Sequence, residues 1–298
     1  MKIFDCFMYF DEDLVLDIRL NTLDKYVDFF VIIESKYNHK GETKKLNFDI
    51  NKYKDFKDKI IYLIQDTEPQ GIEVVNNDDL ENIKNKKYIL NSIKRENTQR
   101  NYINYGLNLA EKDDWIIISD LDEIPKLNKF NLKDSKEKFI FFKQEMIYYK
   151  LNLKYENFSW VGSKACKKKD LISPQWLRNI KDRNYPWWRF DILFSKNKFS
   201  NIMFVEDGGW HFSYIKTAKE IEYKLKSYLH HREYDLNPLG IDGIEKMMNE
   251  KKAIYNLKHD QRSLVKIGGG EKLKKIDINK LPSYVKENKE KLKDWLEN

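Results

Sequence analysis

Three runs of consecutive apolar residues, rich in β-branched side chains, punctuate the chain: residues 28–34 (DFFVIIE), 59–65 (KIIYLIQ) and 115–118 (WIII). None alternates apolar with polar positions, so each reads as a strand buried on both faces, as in the interior of a parallel sheet. Residues 2–10 add a fourth strand of the same kind. Between these runs the apolar period changes to that of a helix, with Leu14, Ile18 and Leu23 in residues 11–23 and Ile89, Ile93, Ile103 and Leu107 in residues 87–110. Residues 66–86, which hold Pro69, Gly71 and the run Asn76 to Asp79, read as a surface loop.

Further along, residues 138–149 predict an aromatic strand, followed by strand-like stretches at 151–155, 158–163, 189–195 and 201–205. From Lys219 onward the pattern is helical and highly charged, with Ile221, Leu225, Tyr228 and Leu229 on one face. Residues 281–296 predict a closing amphipathic helix begun by Pro282. Strand alternating with helix defines an α/β protein with a Rossmann-like mixed sheet flanked by helices. The expected division is a sheet domain over 1–214 and a helical extension over 215–298 packed on it.

The central strand ends abruptly in Ser119, Asp120, Asp122 and Glu123, and Pro125 is expected to stop it. If the chain stays extended there, Asp120 and Asp122 point to one side and their carboxylates converge. Such a pair calls for a cation, and an all-oxygen donor set favours magnesium or manganese. Open α/β sheets bind their ligands at this edge, which raises D-x-D above the capping role that acids often play in turns. Upstream, Glu96 and Arg100 stand four apart with the acid first, the favourable order for an ion pair on a solvated helix face. Because that helix feeds the central strand, Arg100 is also placed to reach a phosphate or a sugar hydroxyl. The second buried strand likewise ends in an acid, Glu34, and His39 follows in a loop where it either binds or packs.

Residues 205–212 form the other cluster, with Glu206 and Asp207, the glycine pair Gly208 and Gly209, then Trp210 and His211. Two acids, two glycines and a histidine among aromatics suit a metal-dependent transfer site as well as a turn with a packed histidine. Trp176, Trp187 and Trp188 lie among Arg178, Arg183 and Arg189, a composition fit for sugar stacking and anion contact or for core packing.

Composition narrows the class. A net charge of +7 arises from 55 basic against 48 acidic residues, and the two are interleaved, which argues against a nucleic-acid surface while leaving a phosphate-bearing ligand compatible. The two cysteines have no C-x-x-C partner, so structural zinc and a disulfide framework are not expected, and a reducing, cytoplasmic setting fits. No stretch has the length of a membrane span or the pattern of a signal peptide, which predicts a soluble protein. The basic face of the closing helix is expected to be solvated, with weak peripheral membrane contact as the alternative.

Taken in order, residues 4–23 (FDCFMYFDEDLVLDIRLNTL), VIIES and YNHKG within 31–41, QRN at 99–101, SDLDEIP at 119–125, GGWHFSY at 208–214 and LPSYVKEN near the end resemble glycosyltransferase family 17, the bisecting N-acetylglucosaminyltransferase family. The resemblance implies a GT-A fold, a nucleotide-sugar donor such as UDP-N-acetylglucosamine, a divalent metal, a glycan acceptor and inversion at the anomeric carbon. It places Glu34, Glu96, Arg100, Asn101, Asp120 and Trp210 around the donor and Asp120, Asp122 and His211 around Mn2+ or Mg2+. Inversion further requires a carboxylate to take the acceptor proton, for which Asp207 is the first expectation and Glu206 the second. A metal-dependent phosphohydrolase and a carbohydrate-binding protein without catalysis are the alternatives.

Overall fold

A computed structural model describes residues 1–257 and 267–297. Its centre is one ten-stranded mixed sheet. Strands β1 (Ile3–Tyr9), β2 (Phe29–Ser35), β3 (Ile60–Gln65) and β4 (Trp115–Asp120) pair in parallel in the order β3-β2-β1-β4. The long β7 (Leu153–Lys167) then runs antiparallel to β4, and β6 (Phe139–Tyr148) runs antiparallel to β7. Two reversals restore the original direction, so β6, and β9 (Gly209–Ser213) beside it, point the same way as β1 and β4. The short β5 (Glu123–Pro125) closes that edge against β9, while β8 (Ile202–Val205) and β10 (Lys274–Lys275) pair with β6 and β7.

Period-two alternation separates two buried faces. Phe7, Phe30, Ile32, Trp115 and Ile117 face a core shared with α1 (Asp13–Leu23), whereas Phe4, Cys6, Val31, Ile33, Ile116 and Ile118 face the core under residues 102–107. Both faces of these strands are dry, which is why their sequences show no polar alternation. Cys6 and Cys166 are both buried and free.

The helix predicted at 87–110 is shifted. Helix α2 (Glu81–Asn101) starts earlier and gives way to a 3-10 segment, Tyr102–Leu107, where Gly106 lets the backbone approach Val31 more closely than a side chain would allow. Ile103 and Leu107 are buried as expected, but Ile89 is exposed, and the buried residues of α2 are Asn91, Ser92, Gln99 and Arg100. This helix turns a polar face toward the sheet edge because that edge is a cavity and not core.

Residues 189–195 are not a strand. Backbone hydrogen bonds from Lys181 to Asn197 and from Tyr185 to Phe199 close the segment into a projection outside the sheet, carrying the short α4 (Phe190–Leu193). Residues 153–155 of the first stretch and all of 158–163 fall in the single strand β7, with Leu151 and Asn152 in the turn before it.

Beyond residue 215, helices α5 (Ala218–Ser227), α6 (His231–Leu236) and α7 (Gly240–Asn249) agree with the helical pattern, of which residues 258–266 lie outside the described residues. The closing helix is much shorter than its pattern suggests, with only α8 (Ser283–Glu287) and a 3-10 turn at Lys293–Trp295. Leu281, Val285 and Leu292 enter the same core as α1, so the extension shares the hydrophobic interior of the sheet.

Candidate active site

Because β1, β4, β6 and β9 all run one way, their carboxyl ends meet at one edge, and there the structure opens a cavity of about 900 Å³. Met8, Asp120, Met146, Tyr148 and His211 line it from those strands. Helix α2 adds Glu96 and Arg100, α3 (Pro174–Asn179) adds Arg178, and α5 adds Lys224. A capping box between Thr217 and Glu220 starts α5, and the burial of Ile221 and Leu225 turns Lys224 toward the sheet edge.

The acids of S-D-L-D-E have three different jobs. Strand β4 ends at Asp120 and turns at once, so the two aspartates do not continue an extended strand, and Pro125 lies inside β5 instead of ending β4. The turn is held from below by Arg19 of α1, whose guanidinium is fully buried. It grips Asp5 through two hydrogen bonds of 2.8 and 2.6 Å and donates to the carbonyls of Asp120, Leu121 and Glu123 at 3.2, 3.0 and 2.6 Å. Glu123 is a brace. Its buried carboxylate accepts from the Asp120 backbone N–H at 2.8 Å, from the Trp160 indole at 2.6 Å and from Arg178 at 2.8 and 3.0 Å.

Asp120 lies between Arg100 at 2.8 Å and Arg178 at 3.1 Å. Burial pushes its carboxyl up, but the two guanidiniums outweigh burial and bring it down to about 2. Asp122 faces His211 Nε2 at 3.4 Å and Lys224 Nζ at 3.5 Å. Burial again opposes ionisation, and the imidazole and ammonium overcome it, holding Asp122 well below the usual carboxylate range. For His211 the balance is reciprocal, since burial disfavours the imidazolium while Asp122 raises its pKa above the ordinary value. Lys224 also pairs with Glu12 at 3.0 Å.

Of the ten residues expected at the donor, the metal or the acceptor proton, five are thus gathered at the cavity: Glu96, Arg100, Asp120, Asp122 and His211. Glu96 holds Arg100 at 2.8 Å, so this pair forms part of the cavity wall and not a solvated helix face. His39 also lines the cavity, with its ring 3.0 Å from the Gln99 side chain.

The other five lie elsewhere. Glu34 is buried and fastens the following loop through Lys44, the backbone of Asn47 and Phe48, and Tyr62. Asn101 accepts from the backbone of Gln175 and seats α3. Trp210 is buried in the core and donates to the carbonyl of Lys280. Glu206 pairs with Lys143 on the surface, and Asp207 with Lys126 and Lys129. The glycines beside them serve packing, because Gly209, at φ 140°, presses on the backbone of Ile124, and Gly208 on the carbonyl of Val205. They therefore leave no room for a ligand. The same holds for Gly162, which lies against the side chains of Gln144 and Glu123.

Sequence reasoning missed Lys224, Glu12 and Trp160, and it named Arg178 only as one of several arginines beside tryptophans, without tying it to the motif. The partners of Arg178 in the motif are 55 and 58 residues away, so no local spacing marks it. Arg19 did carry a signal, a charge embedded in the apolar stripe of Leu16, Ile18, Leu20 and Leu23.

These features define an α/β protein with a large ligand cavity at the carboxyl edge of its sheet, one wall carrying paired ions and the other aromatic rings. The chain belongs to glycosyltransferase family 17, whose profile matches residues 1–297, and is a glycosyltransferase acting on a sugar donor and a glycan acceptor. No curated protein matches the chain. No helix among the described residues is long and apolar enough to cross a membrane.

Proposed function

We propose that the protein is a metal-dependent, inverting glycosyltransferase of GT-A type that uses a uridine diphosphate sugar, UDP-N-acetylglucosamine first among them. The observation that carries this reading is the meeting of Asp122 and His211 at the sheet's carboxyl edge, 3.4 Å apart on the cavity wall. Among the described residues no three His, Cys, Asp or Glu side chains form a ready-made metal site. A carboxylate and an imidazole nevertheless fit Mn2+, whose remaining positions a diphosphate and water can fill. Bound there, the ion would supply Lewis-acid stabilisation of the departing diphosphate.

The chain's own groups divide the remaining work. Arg100 and Arg178 present guanidiniums for phosphate or sugar oxygens, and Asp120, fixed between them, accepts a donor hydroxyl. On the other wall, Tyr148, Trp160, Tyr214, Tyr228 and Tyr255 offer ring faces to sugars. Calorimetry of UDP is the direct test. Affinity should rise at least tenfold with Mn2+ and collapse in chelator, and equal affinity in both would refute metal dependence.

With Asp207 and Glu206 outside the cavity, the proton acceptor belongs to an acid that lines it. Glu12 shares Lys224 with Asp122, at 3.0 and 3.5 Å, and so lies at the proposed leaving-group end. Glu233 of α6 lines the aromatic wall by Tyr228 and Tyr255, with His230 3.6 Å from its carboxylate. In-line displacement needs the base away from the leaving group, which favours Glu233. Glu233→Gln should lower turnover on the order of a hundredfold with donor affinity intact. Asp207→Asn should transfer sugar within about twofold of the parent rate, as expected for an exposed ion pair. Steady-state rates of both variants decide the matter, and the reverse pattern would return the role to Asp207.

A further inference from the structure

The cavity leaves one conspicuous feature unused. Between α3 and β8 the chain projects from the sheet and holds four aromatic side chains in water: Trp187 at 80%, Trp188 at 65%, Phe190 at 81% and Phe194 at 89% exposure. Other exposed large apolar side chains are scattered, whereas these fall within eight residues of one another. Isolated exposed apolar residues need no explanation, but a contiguous aromatic group does.

The projection is a built structure. Its root is closed by the backbone bonds from Lys181 to Asn197 and from Tyr185 to Phe199, and by two bonds of 2.9 and 2.7 Å between the Asn184 side chain and the backbone of Ile202. Tyr185 is buried at that root, with Arg183, Arg189 and Lys198 packed over its ring at 4.6, 5.6 and 5.6 Å. Residues 181–198 contain five cations, Lys181, Arg183, Arg189, Lys196 and Lys198, against two acids. Both acids are already paired, Asp182 with Lys164 at 2.6 Å and Asp191 with Arg189 and Lys198 at 2.8 and 2.7 Å.

We propose that this projection is a lipid-surface anchor whose aromatic tips enter the interface of an anionic bilayer while the cations left over from its ion pairs, Lys181, Arg183 and Lys196, meet its phosphates. Tryptophan favours the headgroup region, phenylalanine can pass deeper, and each cation near the surface adds electrostatic attraction. A glycan is a poorer occupant. Sugar hydroxyls are read best by fixed donor and acceptor groups set together beside a ring, and here both carboxylates are drawn into ion pairs. The rings also form no flat platform, since Trp187 and Trp188 stand edge to face at 86°. None of the four aromatics lines the cavity, so the anchor is independent of the sugar being transferred. Weak membrane contact thus moves from the closing helix, where the sequence suggested it, to this segment.

Co-sedimentation of the full chain with phosphatidylcholine vesicles, with and without phosphatidylglycerol, tests the assignment. The parent protein should sediment with the anionic vesicles and release as salt rises, because screening shortens the reach of its cations. A variant combining Trp187→Ser, Trp188→Ser, Phe190→Ser and Phe194→Ser should lose binding about tenfold or more while keeping its melting temperature and UDP affinity. Parent protein that stays in solution with anionic vesicles, or a quadruple variant that sediments equally well, overturns the proposal. So does a parent that ignores vesicles but elutes as an oligomer that the variant abolishes, which would give this face to a second copy of the chain.

Discussion

Asp122→Ala is expected to cost turnover on the order of a thousandfold or more and to abolish the effect of Mn2+ on nucleotide affinity. On the proposed function Asp122 would help hold Mn2+, and losing that ligand would forfeit several kcal/mol of charge stabilisation on a leaving diphosphate, each 1.36 kcal/mol being about a factor of ten. The carboxylate also contributes to the fold, since His211 and Lys224 hold it ionised on the cavity wall and well below its ordinary pKa. Its backbone carbonyl, which accepts from Phe212 at 2.8 Å, survives the substitution. Removing a carboxylate between two cationic partners should therefore lower the melting temperature by a few degrees, limited because Lys224 keeps Glu12 and His211 can lose its proton, while transfer is destroyed. Kinetics with UDP-N-acetylglucosamine, alongside calorimetry of UDP with and without Mn2+, separate the two effects. A variant that binds UDP as the parent does, with metal sensitivity intact, would show that Asp122 is not the ligand.

Much of this site was visible in the residues alone because its position follows from sheet chemistry. Runs such as Val31 to Ile33 and Ile116 to Ile118 identify strands that are dry on both faces, and a dry strand meets water at its end. The position of Asp120 and Asp122 at the ligand edge follows from that pattern alone. What the pattern could not give was the direction in which each acid turns. Whether a carboxylate enters a cavity or braces a loop depends on partners distant in sequence, and Glu34 and Glu123 are both braces of this kind. The position of Asp207 and Glu206 outside the cavity has a similar origin. Glu206 and Asp207 with two glycines look like a ligand loop, yet the glycines answer to the backbone of Ile124 and Val205, and Asp207, at φ 47°, simply turns the chain between β8 and β9.

Arg19 shows where a local anomaly in the sequence had structural content. Its position in an apolar stripe marks a buried charge, and a buried charge persists only with full compensation. Asp5 neutralises it, and the spare N–H groups hold three carbonyls of the turn that aims Asp120 and Asp122. Arg19→Met would strand the Asp5 carboxylate in the core together with those carbonyls, at a cost of about 3–5 kcal/mol, seen as a melting temperature lower by roughly 10 °C. Pairing it with Asp5→Leu removes the stranded charge but not the unmet carbonyls, so the double variant should recover only part of the loss. Arg19→Lys separates fold from site, because an ammonium can meet Asp5 but cannot also span three carbonyls through a planar fork. That variant should remain folded, with KM for the donor raised about tenfold as the motif turn loosens. If the double variant is as stable as the parent, or Arg19→Lys binds donor normally, the carbonyl contacts do not set the geometry of the turn.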